Sequence, residues 1–203
     1  MFEGSSLNIP DLVAKFAKLV SDYNVYAVRV FKDPSQRTPP IPNRWCPSDD
    51  NWIKINFDAN VVNTGEHGLG IVARDAEGQL VLAGVKRIKA SWPPDLSELN
   101  AAVYGIEVAM RMGYSHIVLE GDCLSVINGI QNTVTGYAPP YVLFDAIAAN
   151  KASFEGFRCN LVRRNCNIAA HLVSRCNSGR IGASIFMYPF PQSLVTLATL
   201  DLI

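Results

Sequence analysis

The sequence lacks an excess of either charge, since 18 Lys and Arg side chains balance 18 Asp and Glu side chains over 203 residues. Proteins that hold nucleic acid through many phosphate contacts usually carry a clear surplus of Lys and Arg. The balance therefore excludes a strongly basic surface over the whole chain. Any nucleic-acid partner has to be held locally or weakly.

Paired cysteines and a signal peptide are also absent. The N-terminus has no basic start followed by an apolar core, and no CxxC pair occurs among the five cysteines, which are Cys46, Cys123, Cys159, Cys166 and Cys176. We therefore expect a reduced, intracellular compartment. Cys159 and Cys166 would need a second pair to form a structural zinc site, so the favoured interpretation is that they are small buried hydrophobes.

No uninterrupted apolar run is long enough to span a bilayer, which takes roughly 20 residues. The nearest candidate, residues 181–203, is split by Pro189 and Pro191, and Gln192 and Asp201 add polar groups. We predict no membrane partner. Residues 180–203 are expected to form a C-terminal extension that packs on the domain or is partly disordered.

Three further segments can be recognised along the chain. Residues 1–32 predict an N-terminal amphipathic helix, with apolar side chains at helical spacing at Leu12, Val13, Phe16, Leu19, Val20 and Tyr23. Residues 33–51 contain five prolines, which continue neither a helix nor a central strand, so this stretch is predicted to be a linker. The main domain is predicted over residues 52–179.

The pattern within the main domain predicts an α/β fold. Three strands with short connections indicate an antiparallel meander, and the nearly continuous Ile, Val and Leu of the fourth strand are typical of a parallel strand buried on both faces. The predicted strands are 52–60, 67–75, 79–88, 116–122 and 157–164, and the predicted helices are 95–113, 123–131, 140–152 and 167–176. We therefore expect a mixed five-stranded sheet, three strands antiparallel and then two parallel, flanked by helices.

The long helix is expected to bury one apolar stripe and to end at Gly113. The residues of that stripe are Leu99, Val103, Ile106 and Met110. Lys86, Arg87 and Lys89 on the third strand admit two interpretations, a phosphate-binding patch or the charges that keep an edge strand from pairing, and the second is favoured.

Three acids lie on segments that this topology places next to one another at one edge of the predicted sheet. Asp58 and Asp122 end the first and fourth strands, and Glu98 lies in the first turn of the long helix. Ligands of open sheets bind at the carboxyl ends of strands. Carboxylates held this close repel one another unless cations lie between them. The three acids therefore predict a site for hard divalent metal ions.

Each acid also has a purely structural explanation. Asp58 alternates with apolar residues and would be solvated on a half-buried strand. Asp95 and Glu98 have the spacing of a capping box, and Asp122 is well placed to cap the helix that follows it. Singly these explanations are at least as good as the functional one, but the shared position of the three acids favours the metal site.

Four motifs in this order and spacing resemble the ribonuclease H type 1 family, in particular the reverse-transcriptase-like ribonuclease H domains abundant in plants. The motifs are KINFDAN, GIVARDAEGQL, SELNAAVYGIEVAMRMGYSHIVLEGD and RRNCNIAAHLVSR, and the resemblance covers roughly residues 52–176. It implies a ribonuclease H-like fold and endonucleolytic hydrolysis of the RNA strand of RNA–DNA hybrids. It also implies two Mg²⁺ or Mn²⁺ ions held by Asp58, Glu98 and Asp122.

The family's fourth acidic position is occupied here by His171. A neutral imidazole binds Mg²⁺ poorly, so contact with Mn²⁺, a role as a proton shuttle and simple packing against the sheet all remain open for this residue. The resemblance also implies recognition of RNA 2′-hydroxyls by small polar groups near Asn60 and Asn100. A monomer is expected.

A second hypothesis is a ribonuclease H-like module of retrotransposon origin that binds nucleic acid or protein without catalysis. The neutral net charge, the lack of a basic helical protrusion between Asp122 and Phe157, and His171 all motivate it. Cleavage of hybrids is the favoured prediction. Chance retention of three acids in register is less expected than the loss of a single acidic position.

Overall fold

A computed structural model of the protein describes residues 44–63, 65–132, 136, 138–176 and 181–201. The predicted N-terminal helix and most of the predicted linker lie outside these residues. Among the helices within them, none combines the length and the apolar character needed to cross a membrane.

Six strands and five helices follow one another in the described part of the chain. The strands are β1 (Ile53–Asn63), β2 (Glu66–Arg74), β3 (Leu80–Lys89), β4 (His116–Gly121), β5 (Gly156–Leu161) and β6 (Gly182–Phe186). The helices are α1 (Pro94–Arg111), α2 (Leu124–Asn132), α3 (Pro139–Lys151), α4 (Ile168–Arg175) and α5 (Gln192–Leu200), and a 3₁₀ turn over Arg164–Cys166 precedes α4.

The strands form one mixed sheet in the order β5-β4-β1-β2-β3-β6. β1, β2, β3 and β6 pair antiparallel, whereas β4 is parallel to both β1 and β5. The predicted α/β fold with antiparallel and parallel halves is confirmed. The predicted number of five strands is wrong, because part of the segment expected to be an extension forms β6. Pro189 and Pro191 follow this strand and do not interrupt it.

β6 also changes the interpretation of the basic residues on β3. It pairs with β3 from Ala83 to Arg87, so β3 is not an edge strand and the favoured interpretation of its charges is wrong. The guanidinium of Arg87 is buried and donates hydrogen bonds to the carbonyl oxygens of Arg175 and Cys176. Arg87 therefore satisfies carbonyl groups at the C-terminal end of α4.

One face of the sheet carries the main hydrophobic core, under α1, α2 and α3. Leu99 and Ile106 of the predicted stripe are fully buried there, but Met110 is 39% exposed. Ala102 and Ala109, both buried, lie on the buried face of α1. Small side chains on this face allow α1 to approach the sheet closely. The predicted stripe, which consists of large apolar residues, does not include them.

The opposite face of the sheet is covered by α4 and α5. α4 lies on Gly68 and Gly70 of β2: a Cβ atom at Gly68 would collide with the carbonyl oxygen of Ser174. A Cβ atom at Gly70 would collide with the backbone nitrogen of Ser174 and lie 2.6 Å from the carbonyl oxygen of Ala170. Only glycine at these positions permits such an approach of helix and strand.

The two ends of the described chain pack on this second face. Leu194 and Ala198 of α5 are buried, and the Arg74 guanidinium donates a 2.7 Å hydrogen bond to Asp201. Trp45 is also buried, and its indole Nε1 donates to Asn56 Oδ1 at 2.9 Å. Residues on both sides of the predicted domain therefore pack against the sheet.

Cys159 and Cys166 are buried in two separate apolar clusters, and neither forms a disulfide with a described cysteine, as the interpretation of them as small hydrophobes predicts.

Replacing Gly70 by Ala is expected to destabilise the protein by about 1–3 kcal/mol, because the added methyl group overpacks the contact between β2 and α4. Gly105→Ala is the matched control: a Cβ atom there lies 3.4 Å from Ile55 Cγ2, an ordinary contact, and Ala is the better helix former. Urea unfolding measures both. Equal free energies of unfolding for the two variants would contradict the close packing of α4 on β2.

Candidate metal centre

Asp58 and Asp122 are brought together by the register of two parallel strands. Asn56 of β1 pairs with Glu120 of β4, and each acid follows two residues later. Both carboxylates therefore lie just beyond the point where the parallel pairing of β1 with β4 ends. Asp58 is in the middle of β1, which continues to Asn63, so the prediction that it ends the first strand is wrong. Asp58 is 5% exposed, so its explanation as a solvated strand residue is wrong.

Glu98 reaches the same place from the start of the second turn of α1, since the helix begins at Pro94, so its predicted position in the first turn is wrong. The capping-box explanation is wrong, because Pro93 occupies the N-cap position and no side chain caps the helix. Asp95 instead accepts a 2.8 Å hydrogen bond from Ser125 Oγ. One carboxylate oxygen each of Asp58, Glu98 and Asp122 lie within 4.8 Å of one another, so the three predicted ligands do form a single cluster.

Asp58 is held by two side chains from α4. Ser174 Oγ donates a 2.7 Å hydrogen bond to Asp58 Oδ2, and His171 Nδ1 lies 3.2 Å from the same oxygen. His171 is thus at the centre, as predicted. Sequence reasoning missed Ser174; the only available signal was a small polar residue three positions after His171, on the same face of a helix.

Asn167 is a second residue that sequence reasoning missed. It is almost fully buried before the start of α4, and its Nδ2 donates to the carbonyl oxygen of Phe57 at 2.9 Å and to Asp122 Oδ1 at 3.2 Å. One amide group therefore ties the middle of β1 to the carboxylate that follows β4. Both the spacing of the acids and the entry of the chain into α4 depend on this contact.

The cluster lies at the bottom of a cleft of about 450 Å³. The described residues that line it are Asp58, Ala59, Glu98, Asp122, Arg164, Asn165, Asn167, Ile168 and His171. Arg164 Nε lies 3.4 Å from Asp122 Oδ2 at the rim. The cleft therefore contains three carboxylates and, at its rim, one guanidinium.

The negative charge of the cluster is poorly compensated. Burial, and then the carboxylates of Asp58 and Asp122, raise the pKa of Glu98 to about 9. Burial also raises the pKa of Asp58, although Ser174 and His171 oppose that shift. Glu98 Oε2 is buried without a hydrogen-bond partner among the described residues. Three crowded carboxylates with an unsatisfied oxygen suit hard divalent cations, which prefer oxygen ligands.

The two residues predicted to contact nucleic acid lie outside the described lining of the cleft. Asn60 is in β1, two positions beyond Asp58, and pairs with Gly68. Asn100 donates from Nδ2 to the carbonyl oxygen of Leu96, 2.7 Å away in its own helix. Their contact with nucleic acid stays a prediction.

Comparison with known sequences identifies one family. The sequence model of the reverse transcriptase-like family matches residues 56–176, which is more than half of the chain. The match includes all three acids of the cluster and His171. A search among curated proteins returns no match.

Solved structures with the same arrangement of strands and helices include ribonucleases H. Ribonuclease H1 from the halophilic archaeon Halobacterium salinarum NRC-1 is 20% identical, with a TM-score of 0.56 over 61% of this chain and 94% of that one. The N-terminal ribonuclease H domain of a Mycobacterium tuberculosis protein, fused to maltose-binding protein, is 17% identical, with a TM-score of 0.55 over 61% and 90%.

A third solved structure is LC11-RNase H1, isolated from compost by a metagenomic approach, in complex with an RNA/DNA hybrid. It is 19% identical, with a TM-score of 0.53 over 60% of this chain and 92% of that one. These likenesses show that the chain has the ribonuclease H fold.

The metal-free protein is expected to lose stability as the pH rises from about 5 to 9. The folded state binds the Glu98 proton more tightly than the unfolded chain, so the stability that this proton contributes is lost as the pH passes from the ordinary pKa of 4.5 to about 9. Melting temperatures in EDTA measure the effect. Glu98→Gln is expected to flatten the pH dependence, although Asp58 leaves a remaining slope of the same sign.

Glu107→Gln is the control for this experiment, because Glu107 lies on the same helix, half-exposed near Lys86. It should follow the wild-type curve. Equal slopes for the wild type and Glu98→Gln would mean that Glu98 is already compensated in the metal-free protein.

Proposed function

We propose that this chain, which belongs to the reverse transcriptase-like family, is a metal-dependent nuclease that cleaves the RNA strand of RNA–DNA hybrids endonucleolytically. The observation that carries the proposal is the cluster of Asp58, Glu98 and Asp122 at the carboxyl end of β4, beside the middle of β1, on a ribonuclease H fold. A buried acidic cluster of this kind is costly to the fold without cations. Its presence in a cleft open to solvent supports a catalytic site.

The three carboxylates would hold two Mg²⁺ or Mn²⁺ ions. Such ions would supply a water of lowered pKa as nucleophile and positive charge at the phosphodiester. The protein's own contribution is to hold the ligands in place. Ser174 fixes Asp58, Asn167 fixes Asp122, and the second turn of α1 carries Glu98.

His171 is proposed to accept a proton during hydrolysis. An ionised Asp58 Oδ2 only accepts hydrogen bonds, so in the contact with His171 the hydrogen lies on Nδ1. The neutral ring then has Nε2 as its acceptor, and its side chain is 47% exposed in the cleft. This arrangement suits transfer of a proton from the attacking water better than direct binding of Mg²⁺.

Recognition of a hybrid is supported by the likeness to LC11-RNase H1, which was solved in complex with an RNA/DNA hybrid. We assign contacts with RNA 2′-hydroxyls to the surroundings of Asn60 and Asn100. Both lie on elements that carry acids of the cluster, β1 and α1. Such contacts distinguish RNA from DNA without a basic surface.

A second candidate function is binding of nucleic acid without cleavage. The specific observation in its favour is His171 at the family's fourth acidic position, where it brings no negative charge and is engaged with Asp58. Its engagement with Asp58 would then only stabilise the metal-free fold. Measurement of cleavage and binding on the same hybrid separates the two candidates.

The wild-type protein is expected to cleave the RNA strand of a labelled hybrid in Mg²⁺ or Mn²⁺ and to be inactive in EDTA. Asp58→Asn should abolish cleavage, because it removes a charged ligand while keeping the shape of the side chain. Asp145→Asn, an exposed position on α3, is the control and should retain wild-type activity. Binding of the hybrid by a wild-type protein that cleaves in neither metal would favour the second candidate.

His171→Ala is expected to lower kcat by about 10²-fold or more, the usual contribution of a general base, with little change in KM or in affinity for Mn²⁺. His171→Asp should remain active, because it restores a carboxylate at this position. His116→Ala serves as the control, since His116 lies against Trp52 at the opposite end of β4. A wild-type kcat in His171→Ala would show that the imidazole only packs.

A further inference from the structure

Arg164 is the one positively charged side chain among the described residues that line the cleft. Its side chain is 95% exposed, and its Nε lies 3.4 Å from Asp122 Oδ2. No other hydrogen bond from its guanidinium to a described residue accompanies this contact. A single long contact to one carboxylate, in full solvent, is a weak interaction that ligands readily replace.

The base of Arg164 is nevertheless fixed relative to the metal centre. Arg164 begins the 3₁₀ turn before α4, and its carbonyl oxygen accepts a 3.0 Å hydrogen bond from the backbone N–H of Asn167. Asn167 is itself buried and bonded to Phe57 and Asp122. The backbone of Arg164 is therefore held close to the Asp122 carboxylate, while its exposed guanidinium can turn toward a ligand in the cleft.

The charges of the cleft require a group of this kind. A phosphodiester that enters meets the carboxylates of Asp58, Glu98 and Asp122, which repel it, and the chain as a whole has no net positive charge to attract it. Cations bound by the carboxylates would remove the repulsion and weaken the attraction between Asp122 and Arg164. A guanidinium presents parallel N–H donors that match two oxygens of one phosphate.

We infer that Arg164 binds a backbone phosphate of the nucleic-acid strand that occupies the cleft, next to the metal centre. The inference rests on the proposed binding of hybrids and adds to it a residue that determines affinity. In the absence of substrate, Asp122 keeps the guanidinium at the rim. The contact reads the backbone and not the bases, so it should act on every sequence alike.

The test compares Arg164→Gln with Arg158→Gln. Arg158 is an exposed arginine on β5 that pairs with Asp49 at 2.6 Å, so both variants remove one positive charge from one ion pair. Affinity for a labelled hybrid is measured by fluorescence anisotropy in Ca²⁺ at several salt concentrations, and affinity for Mn²⁺ alone is measured by calorimetry. Neither readout depends on cleavage.

Arg164→Gln is expected to weaken hybrid binding by about tenfold and to reduce the slope of log K against log salt by about 1, whereas Arg158→Gln should leave both near the wild-type values. Affinity of Arg164→Gln for Mn²⁺ should be unchanged or tighter, because a competing cation leaves Asp122. Arg164→Lys should keep the salt slope and recover part of the affinity, since Lys keeps the charge but loses the paired donors.

Equal effects of Arg164→Gln and Arg158→Gln on hybrid binding would overturn the inference. So would a change in Mn²⁺ affinity with no change in hybrid affinity, which would make Arg164 only a partner of Asp122. If the wild type binds the hybrid but does not cleave it, the proposed catalysis is overturned. The comparison of hybrid affinity between Arg164→Gln and Arg158→Gln still tests whether Arg164 binds phosphate. Failure of the wild type to bind any hybrid would overturn both.

Discussion

The contact of α4 with the glycines of β2 is the constraint on which the candidate site depends. Gly70 is the ladder partner of Asp58, and its missing side chain lets the backbone of α4 lie directly over that pair. Ser174 and His171 reach Asp58 only because the helix approaches so closely. Arg87, bonded to the carbonyl oxygens of Arg175 and Cys176, holds the C-terminal end of the same helix against the sheet. Strand pairing, helix packing and the chemistry of the centre therefore rest on one interface.

The three acids of the centre are supported unequally. Asp58 receives a hydroxyl and an imidazole, and Asp122 receives an amide and a guanidinium, whereas Glu98 has one oxygen without a hydrogen-bond partner among the described residues. Burial, and then repulsion from the carboxylates of Asp58 and Asp122, raises the pKa of Glu98. Packing of α1 against the sheet supplies the free energy that holds the cluster together despite its repulsion. The crowded carboxylates that suit a cation therefore destabilise the fold when no cation is bound, a trade-off that is common at functional sites.

Much of the fold and part of the site could be predicted from the sequence, because both have local signals. Alternation in β1, the apolar run of β4 and the periodicity of α1 place Asp58, Asp122 and Glu98 at one edge. Ser174 and Asn167 have no such signal, since Asp58 and Phe57, which they contact, lie more than 100 residues away and Asp122, the second partner of Asn167, lies 45 residues away. β6 has no clear signal either, because its five residues lie just before Pro189 and Pro191, and prolines favour an irregular extension. Sequence periodicity reports which face of an element is buried, but not how closely two elements approach.

A chain without net charge can still bind a polyanion if its positive charges are concentrated where the strand passes. Here the turn before α4 carries Arg164, and the same turn leads to Asn167, which fixes Asp122. The guanidinium and Asp122, one of the acids that would hold divalent ions, are therefore positioned by one short segment, which leads directly into α4 where it packs on β2. Few phosphate contacts imply a weak dependence of affinity on salt, in contrast to proteins that grip nucleic acid over a broad basic surface. Selectivity in such an arrangement has to come from the geometry of the cleft and from contacts to the sugar, because general attraction to phosphate contributes little.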